Sequence, residues 1–344
     1  MNKHLPNNRP LLGAAAVVVI LAGLKASGDL VVPFLFALVL SILAMPLVRR
    51  LEQWRIPPVF AVILAVLAFG LGATLLGGML GGSIAAFSLA LPVYEAQLTE
   101  LAHSFQAWLG QLGLDSGQLD LRELANPAAA ISLLKTLLDG LLGLFSNSIL
   151  IVLTMSFLLL EASGFSIKLR AAFGKDTELN ANLAKGAKQV QRYLALKALI
   201  SLATGVFIWA WTAMLGLDLP LLWGLVAFVL NFIPSIGSII AAVPATLLAI
   251  LQLGYLGAIG VAAGFLLVNM VLGNVVEPRL MGRRLGLSPL VVFLSLLFWG
   301  WVWGPAGMLL SVPLTVIVKI MLETTASGRP WAILLGPSAE AQPD

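Results

Sequence analysis

The chain reads as an all-α, polytopic integral membrane protein of about eight transmembrane helices, some of them broken or re-entrant, with both termini cytoplasmic. Three observations predict this. The first is composition: 60% of the residues are apolar and only 10% charged, against roughly 25% charged in ordinary soluble domains. The second is the distribution of charge. Leu221 to Val276 contains no Asp, Glu, Lys, Arg or His, and neither does Leu285 to Val318. Between them stands the charged knot Glu277-Pro-Arg-Leu-Met-Gly-Arg-Arg284. The third is that basic residues gather in every second connection, as they do in loops held in the cytoplasm. A barrel is excluded because the apolar runs are continuous rather than alternating.

A spanning helix needs roughly 20 apolar residues. The expected spans are 11–24, 30–48, 58–82, 146–162, 196–216, 220–251 (broken), 255–276 and 288–320 (broken). Lys3 and Arg9 precede the first span, which reads as an uncleaved helix rather than a signal peptide: no small-residue cleavage site follows it. Arg49, Arg50 and Arg55 separate the second span from the third. Segment 163–197 is basic, from Lys168 to Lys197, and should form a cytoplasmic helix running into the next span. Segment 83–145 holds six acids against Arg122 and Lys135 and is expected outside. There Leu98, Leu101, Phe105 and Leu109 recur at helical spacing, and Asn126-Pro127 signals a turn. Two or three amphipathic helices are expected, acting as a lid or as a packed accessory hairpin. The chain thus divides into membrane helices 1–82, periplasmic helices 83–145, a span with a basic helix at 146–197, a transport core at 198–322 and a cytoplasmic tail at 323–344.

The two broken runs are where function is sought. Asn231-Phe-Ile-Pro234-Ser235-Ile-Gly237-Ser238 interrupts the first, and Gly304-Pro305 with Pro313 interrupts the second. In lipid, backbone groups freed by a break need partners from protein or from water in a cavity. Such breaks mark substrate sites in transporters, though tight hairpins that only pack would look alike. Polar residues lie around the breaks: Asn231, Ser235, Ser238, Asn269 and Asn274, with Asn147, Ser156 and Thr246 further off. The ionisable candidates Glu161, Lys197, Glu277 and Arg279 fall near predicted membrane edges. A membrane interior poor in charge favours a neutral or weakly charged solute. The expected pathway has one wall of Asn231, Pro234, Ser235, Gly237 and Ser238. The other has Asn269, Asn274, Glu277 and Pro278, with Arg279 fixing the cytoplasmic mouth. Gly77-x-x-x-Gly81, Gly78-x-x-x-Gly82 and Gly260-x-x-x-Gly264 allow close helix approach, within the chain or between subunits. Phe298, Trp299, Trp301 and Trp303 are expected to form an interfacial belt.

Other chemistry is not indicated. The chain has no cysteine, and His4 and His103 lie outside the apolar runs, so no metal site is expected. No G-x-x-x-x-G-K-[ST] loop is present, so neither ATP hydrolysis nor a bound cofactor is expected. The net charge of +4 belongs to loops beside the bilayer, not to a nucleic-acid surface.

Three stretches together resemble the autoinducer-2 exporter family. They are Trp223-Gly-Leu-Val-Ala-Phe-Val-Leu-Asn231-Phe-Ile-Pro234-Ser-Ile-Gly237-Ser, then Gly273-Asn274-Val-Val-Glu277-Pro278-Arg279-Leu-Met-Gly282, and Gly286-Leu-Ser-Pro289 through Phe298-Trp-Gly-Trp301 to Pro313. Val32-Pro33-Phe34, Pro46-Leu47-Val48 and Tyr193-Leu-x-x-Lys197 also fit. The Phe-Trp-Gly-Trp and Val-Glu-Pro-Arg forms look most like the member that exports the quorum-sensing signal. The resemblance implies a multi-pass permease of the bacterial inner membrane, assembled as a homo-oligomer, a pentamer, with transport within each protomer. Its substrate would be a small, polar, nearly neutral signal molecule. Some relatives are instead sodium/proton antiporters, which rely on intramembrane acids.

Overall fold

The computed structural model describes residues 9–111, 136, 138–140, 142–143, 147–173, 177–234, 236–281, 286–325 and 327–337. The Asn126-Pro127 turn, Ser235, Arg283 and Arg284 lie outside them. Every regular element among the described residues is helical. Five helices are long and apolar enough to cross a membrane, and two shorter apolar helices accompany them.

Helix α1 (Arg9–Ala26) is apolar all round and exposes Val18, Val19 and Ile20, as a lipid-facing helix does. Helix α2 (Gly28–Gln53) has Asp29 in its first turn and Arg50 in its last, each opposing the local end of the helix dipole. It buries Pro33, Ala37, Ser41, Ala44 and Val48, a stripe at helical spacing. Ala37 and Ala44 meet Ala61, Ala65, Ile151 and Met155 in one cluster. Small residues there let three helices approach closely without a hydrophobic force between them.

Helix α3 (Pro58–Gln111) differs from the expected pattern. It runs unbroken through residue 82 and through Pro92. At 1.5 Å per residue it is roughly 80 Å long, against about 40–45 Å for a whole bilayer. One of its ends therefore projects from the membrane as a single rod. Residues 83–91 contain neither Gly nor Pro, and Pro92 removes only one backbone bond, so nothing ends the helix at 82. Helix α4 (Ser148–Phe173) continues past its apolar part into polar sequence. Helix α5 (Thr177–Leu215) joins the basic segment to the following span in one helix, as expected.

Helix α6 (Pro220–Leu230) is short and central. Pro220 sits in its first turn, after Leu219 in the left-handed region (φ 55°). The cores of α5 and α6 touch at two glycines. A Cβ on Gly205 would stand 2.8 Å from the Gly224 carbonyl, and a Cβ on Gly224 would stand 2.8 Å from the Gly205 carbonyl. Trp223, fully buried, anchors the same helix and donates its indole N–H to the Asp218 carbonyl (3.1 Å).

Helix α7 (Gly237–Val268) is bent at Gly254 (φ 69°). Beyond it the chain continues as a π-helical stretch, Asn269–Val276, and helix α8 (Glu277–Met281). Ser238 and Asn269 line one cavity, although a straight helix would hold them about 46 Å apart. The bend at Gly254 is therefore a reversal. Helix α9 (Pro289–Glu323) reverses at Trp303 and Gly304 (φ 61°). There the Trp299 indole N–H donates to Thr315 Oγ1 (3.2 Å) across the two arms. The short helix α10 (Arg329–Leu335) closes the described chain, its Leu335 carbonyl accepting from the Ser288 amide (3.0 Å).

The bundle has a basic end. Gln191 donates to the Ile42 carbonyl (3.0 Å), Lys197 pairs with Glu277, and a Cβ on Gly186 would meet Ile320. The end of α2 with Arg49 and Arg50, the start of α5, and α8 with Arg279 thus converge there. At the other end the Tyr94 hydroxyl donates to Asp218 Oδ2 (3.2 Å), and the Gln252 amide donates to the Tyr94 oxygen (3.1 Å) and to Asp218.

Candidate functional site

The turn between α6 and α7 opens onto a polar cavity of about 170 Å³. Its lining is Lys197, Asn231, Ile233, Pro234, Ser238, Asn269, Gly273, Asn274 and Glu277. A second, much smaller cavity shares Asn231, Ser238, Asn269 and Gly273 with it and is lined also by Thr204, Phe265 and Val268. Three pieces of chain build it: α5, the α6–α7 turn and the π-helical stretch.

Local chemistry explains each piece. Asn231 ends α6, and its buried amide donates to Ser201 Oγ on α5 (2.9 Å). Pro234 cannot continue a hydrogen-bonded helix, so the chain turns there. Gly237 is required by closeness: a Cβ on it would lie 1.8 Å from the Leu230 carbonyl oxygen. The π geometry, with bonds from i to i+5, carries one more residue per turn than an α-helix and brings Asn269 and Asn274 to one side. Gly273 leaves room for the Asn269 side chain, whose Oδ1 would be 2.8 Å from any Cβ there.

The strongest interaction at the site is ionic. Lys197 Nζ lies 2.8 and 2.9 Å from the two carboxylate oxygens of Glu277. The Lys197 side chain is 4% exposed and that of Glu277 21%. Each charge is tolerated at this depth because the other stands beside it. The pair ties α5 to the junction of the π-helical stretch with α8.

Several of the residues expected along a pathway share one cavity. Asn231, Pro234, Ser238, Asn269, Asn274 and Glu277 line the cavity together. Gly237 shapes the turn but is not part of the lining. Pro278 and Arg279 are exposed and are not part of the lining. Two residues beyond Glu277, a helix has turned about 200°, which carries Arg279 to another face. Lys197 and Gly273 join the lining instead. The signal for Lys197 was legible: a single lysine inside Leu194-Ala-Leu-Lys197-Ala-Leu-Ile200 needs an anionic partner once that helix is buried. Two of the few ionisable residues expected near the membrane edges, Lys197 and Glu277, thus pair with each other.

The second break does not reach this cavity. Trp303 donates to the Leu24 carbonyl (2.9 Å), Trp299 stacks on Trp303 (5.1 Å between centroids), and Lys25 lies 4.6 Å over the Trp301 ring. Of the expected aromatic belt, Phe298 and Trp301 are exposed, while Trp299 and Trp303 are built into the reversal. Of the glycine pairs, Gly260 and Gly264 cradle Trp211, whose indole N–H donates to the Gly260 carbonyl (3.0 Å). On the other side of the α6–α7 turn lies a larger chamber, about 460 Å³, walled by apolar side chains including Phe36, Phe69, Met155, Phe228, Phe232 and Leu310. It offers a polar solute almost no partners.

Known proteins are similar to this chain over nearly its whole length. The family model described as "AI-2E family transporter" matches residues 15–327. The AI-2 transport protein TqsA of Escherichia coli (strain K12) is 41% identical over 319 residues, covering 93% of this chain and 93% of that protein. YhhT of the same strain is 40% identical over 327 residues, covering 95% of this chain and 94% of the relative. A Haemophilus influenzae relative is 36% identical over 345 residues, covering 98% of each. With its apolar helices, its reversals at Gly254 and Gly304 and this extent of similarity, the chain belongs to the AI-2E family of transporters.

Proposed function

We propose that the polar cavity at the α6–α7 turn is the substrate site of a secondary exporter. Its cargo is autoinducer-2, the solute named for the relative TqsA, or a similar small polar metabolite. One observation carries this reading. Three asparagines and a serine from two elements converge on one cavity beside a broken helix, the arrangement that serves substrates in transporters. A small hydroxylated solute exchanges its water for these amides and hydroxyls with little loss of hydrogen bonding. The chain has no nucleotide-binding loop, so movement of the hairpin against α5 would drive alternating access. The basic end faces the cytoplasm in this reading, placing both termini there and the projecting half of α3 outside. The protein would sit in a bacterial inner membrane as a homo-oligomer, a pentamer by family resemblance.

Export is tested by comparing signal accumulation outside cells with and without the gene, and by uptake into inverted vesicles. Asn231→Ala should cut uptake by about tenfold, one lost hydrogen bond to a buried polar group being about 1.4 kcal/mol. Equal signal distribution in both strains, with another solute transported normally, would remove the assignment of cargo.

A further inference from the structure

The cavity contains two full charges, yet their sum is zero. Among the described residues, Lys197 and Glu277 are the charged groups in its lining; Asn231, Ser238, Asn269 and Asn274 supply the neutral ones. Arg279, the nearest other charge along the chain, is exposed and points elsewhere. We propose that the Lys197–Glu277 pair determines specificity by holding the cavity electrically neutral, so that neutral hydroxylated solutes are accepted and small ions of either sign are rejected. This inference rests on the transport reading above.

The physical argument is one of compensation. Charges interact strongly where water is scarce, and a charge that loses its partner there is costly. A cation drawn to Glu277 would compete with Lys197 and leave an ammonium uncompensated in a residue only 3% exposed. An anion drawn to Lys197 would likewise release the Glu277 carboxylate. A neutral polyol does neither. Lys197 has three N–H donors and uses two on Glu277, leaving one for a hydroxyl. The asparagine amides supply further donors and acceptors without disturbing the pair. Lys197 is thereby a specificity-determining residue, and not merely a brace between α5 and the π-helical stretch.

The test is a charge ledger of the cavity, read in proteoliposomes of the full-length protein. Three probes are used: erythritol (neutral), threonate (anionic) and choline (cationic). The wild type should take up erythritol at least about tenfold faster than either ion. Glu277→Gln leaves a net positive cavity and should raise threonate relative to erythritol by about tenfold. Lys197→Met leaves a net negative cavity and should raise choline similarly. Asn274→Asp adds a negative charge at an exposed lining position with the pair intact, and should also raise choline. It decides the matter if Lys197→Met fails to fold. The double variant Lys197→Met/Glu277→Gln restores neutrality and should restore rejection of both ions. Wild-type ratios in Glu277→Gln and Asn274→Asp would overturn the inference while leaving the transporter standing. Ions carried as fast as erythritol by the wild type would overturn it as well. A wild type that moves neither autoinducer-2 nor erythritol would instead remove the transport reading, and this inference with it.

Discussion

Two of the chain's reversals, the α6–α7 turn and the break in α9, are built alike and placed differently. In each, two helical arms fold back at a glycine-containing break beside a proline. Gly237 approaches the Leu230 carbonyl as closely as Gly307 approaches the Trp299 carbonyl, with Cβ positions at 1.8 and 1.9 Å. The α6–α7 turn then presents Asn231, Pro234 and Ser238 to a polar cavity. The α9 reversal presents tryptophans to α1 and to its own second arm. A break frees backbone, but side chains and neighbours decide whether solute or protein satisfies it. Breaks alone therefore overstate the number of sites.

This contrast can be broken by substitution, and the largest effects come first. Gly237→Ala and Gly307→Ala should each abolish most folded protein in membranes, since a methyl group driven onto a backbone carbonyl costs about 3 kcal/mol or more. Detergent-extracted yield and thermal stability measure it. Survival of both variants at wild-type yield would show that the turns are looser than described.

Lys197→Met should come next. Leaving Glu277 partly buried and unpaired costs roughly 3–5 kcal/mol, whereas Lys197→Met/Glu277→Gln should recover most of that loss. The comparison of single and double variants by thermal unfolding checks it. Additive losses would mean that the two residues do not act as a pair.

Asn231→Ala, in the first reversal, should lower stability by about 1–3 kcal/mol because Ser201 loses its buried partner. It should also lower transport by about tenfold. Trp303→Phe, in the second, should cost about 1 kcal/mol through the lost bond to Leu24 and leave transport rates within about twofold of wild type. That pair of results would separate a solute-facing turn from a protein-facing one. Equal transport losses in the two variants would merge them again.

The helical, multi-span character was legible because apolar length is a one-dimensional property. The break at Asn231–Gly237, the joined helix through Lys197 and the reversal at Gly304 all follow from residue order. The continuity of α3 past residue 82 did not, since neither the change to acidic loop composition nor Pro92 ends a helix whose flanking residues still favour one. At the site, the asparagines were found because polar side chains in an apolar run must find partners. The pairing of Lys197 with Glu277 was not legible, since the two lie 80 residues apart and only folding brings them together. The Gly205–Gly224 contact was hidden for the same reason: neither glycine belongs to a G-x-x-x-G pair, and each matters through the other.

The π-helical stretch Asn269–Val276 has one more consequence. A turn wound with an additional residue is equivalent to a one-residue insertion in an α-helix. Rewinding the same residues, Asn269 to Val276, as a regular α-helix would rotate everything downstream by about 100°, the angle of one residue. Glu277 would swing off Lys197 while every side chain at the site remained chemically unchanged. Spacing along this stretch is thus as much a part of the protein's recognition chemistry as the identity of its asparagines.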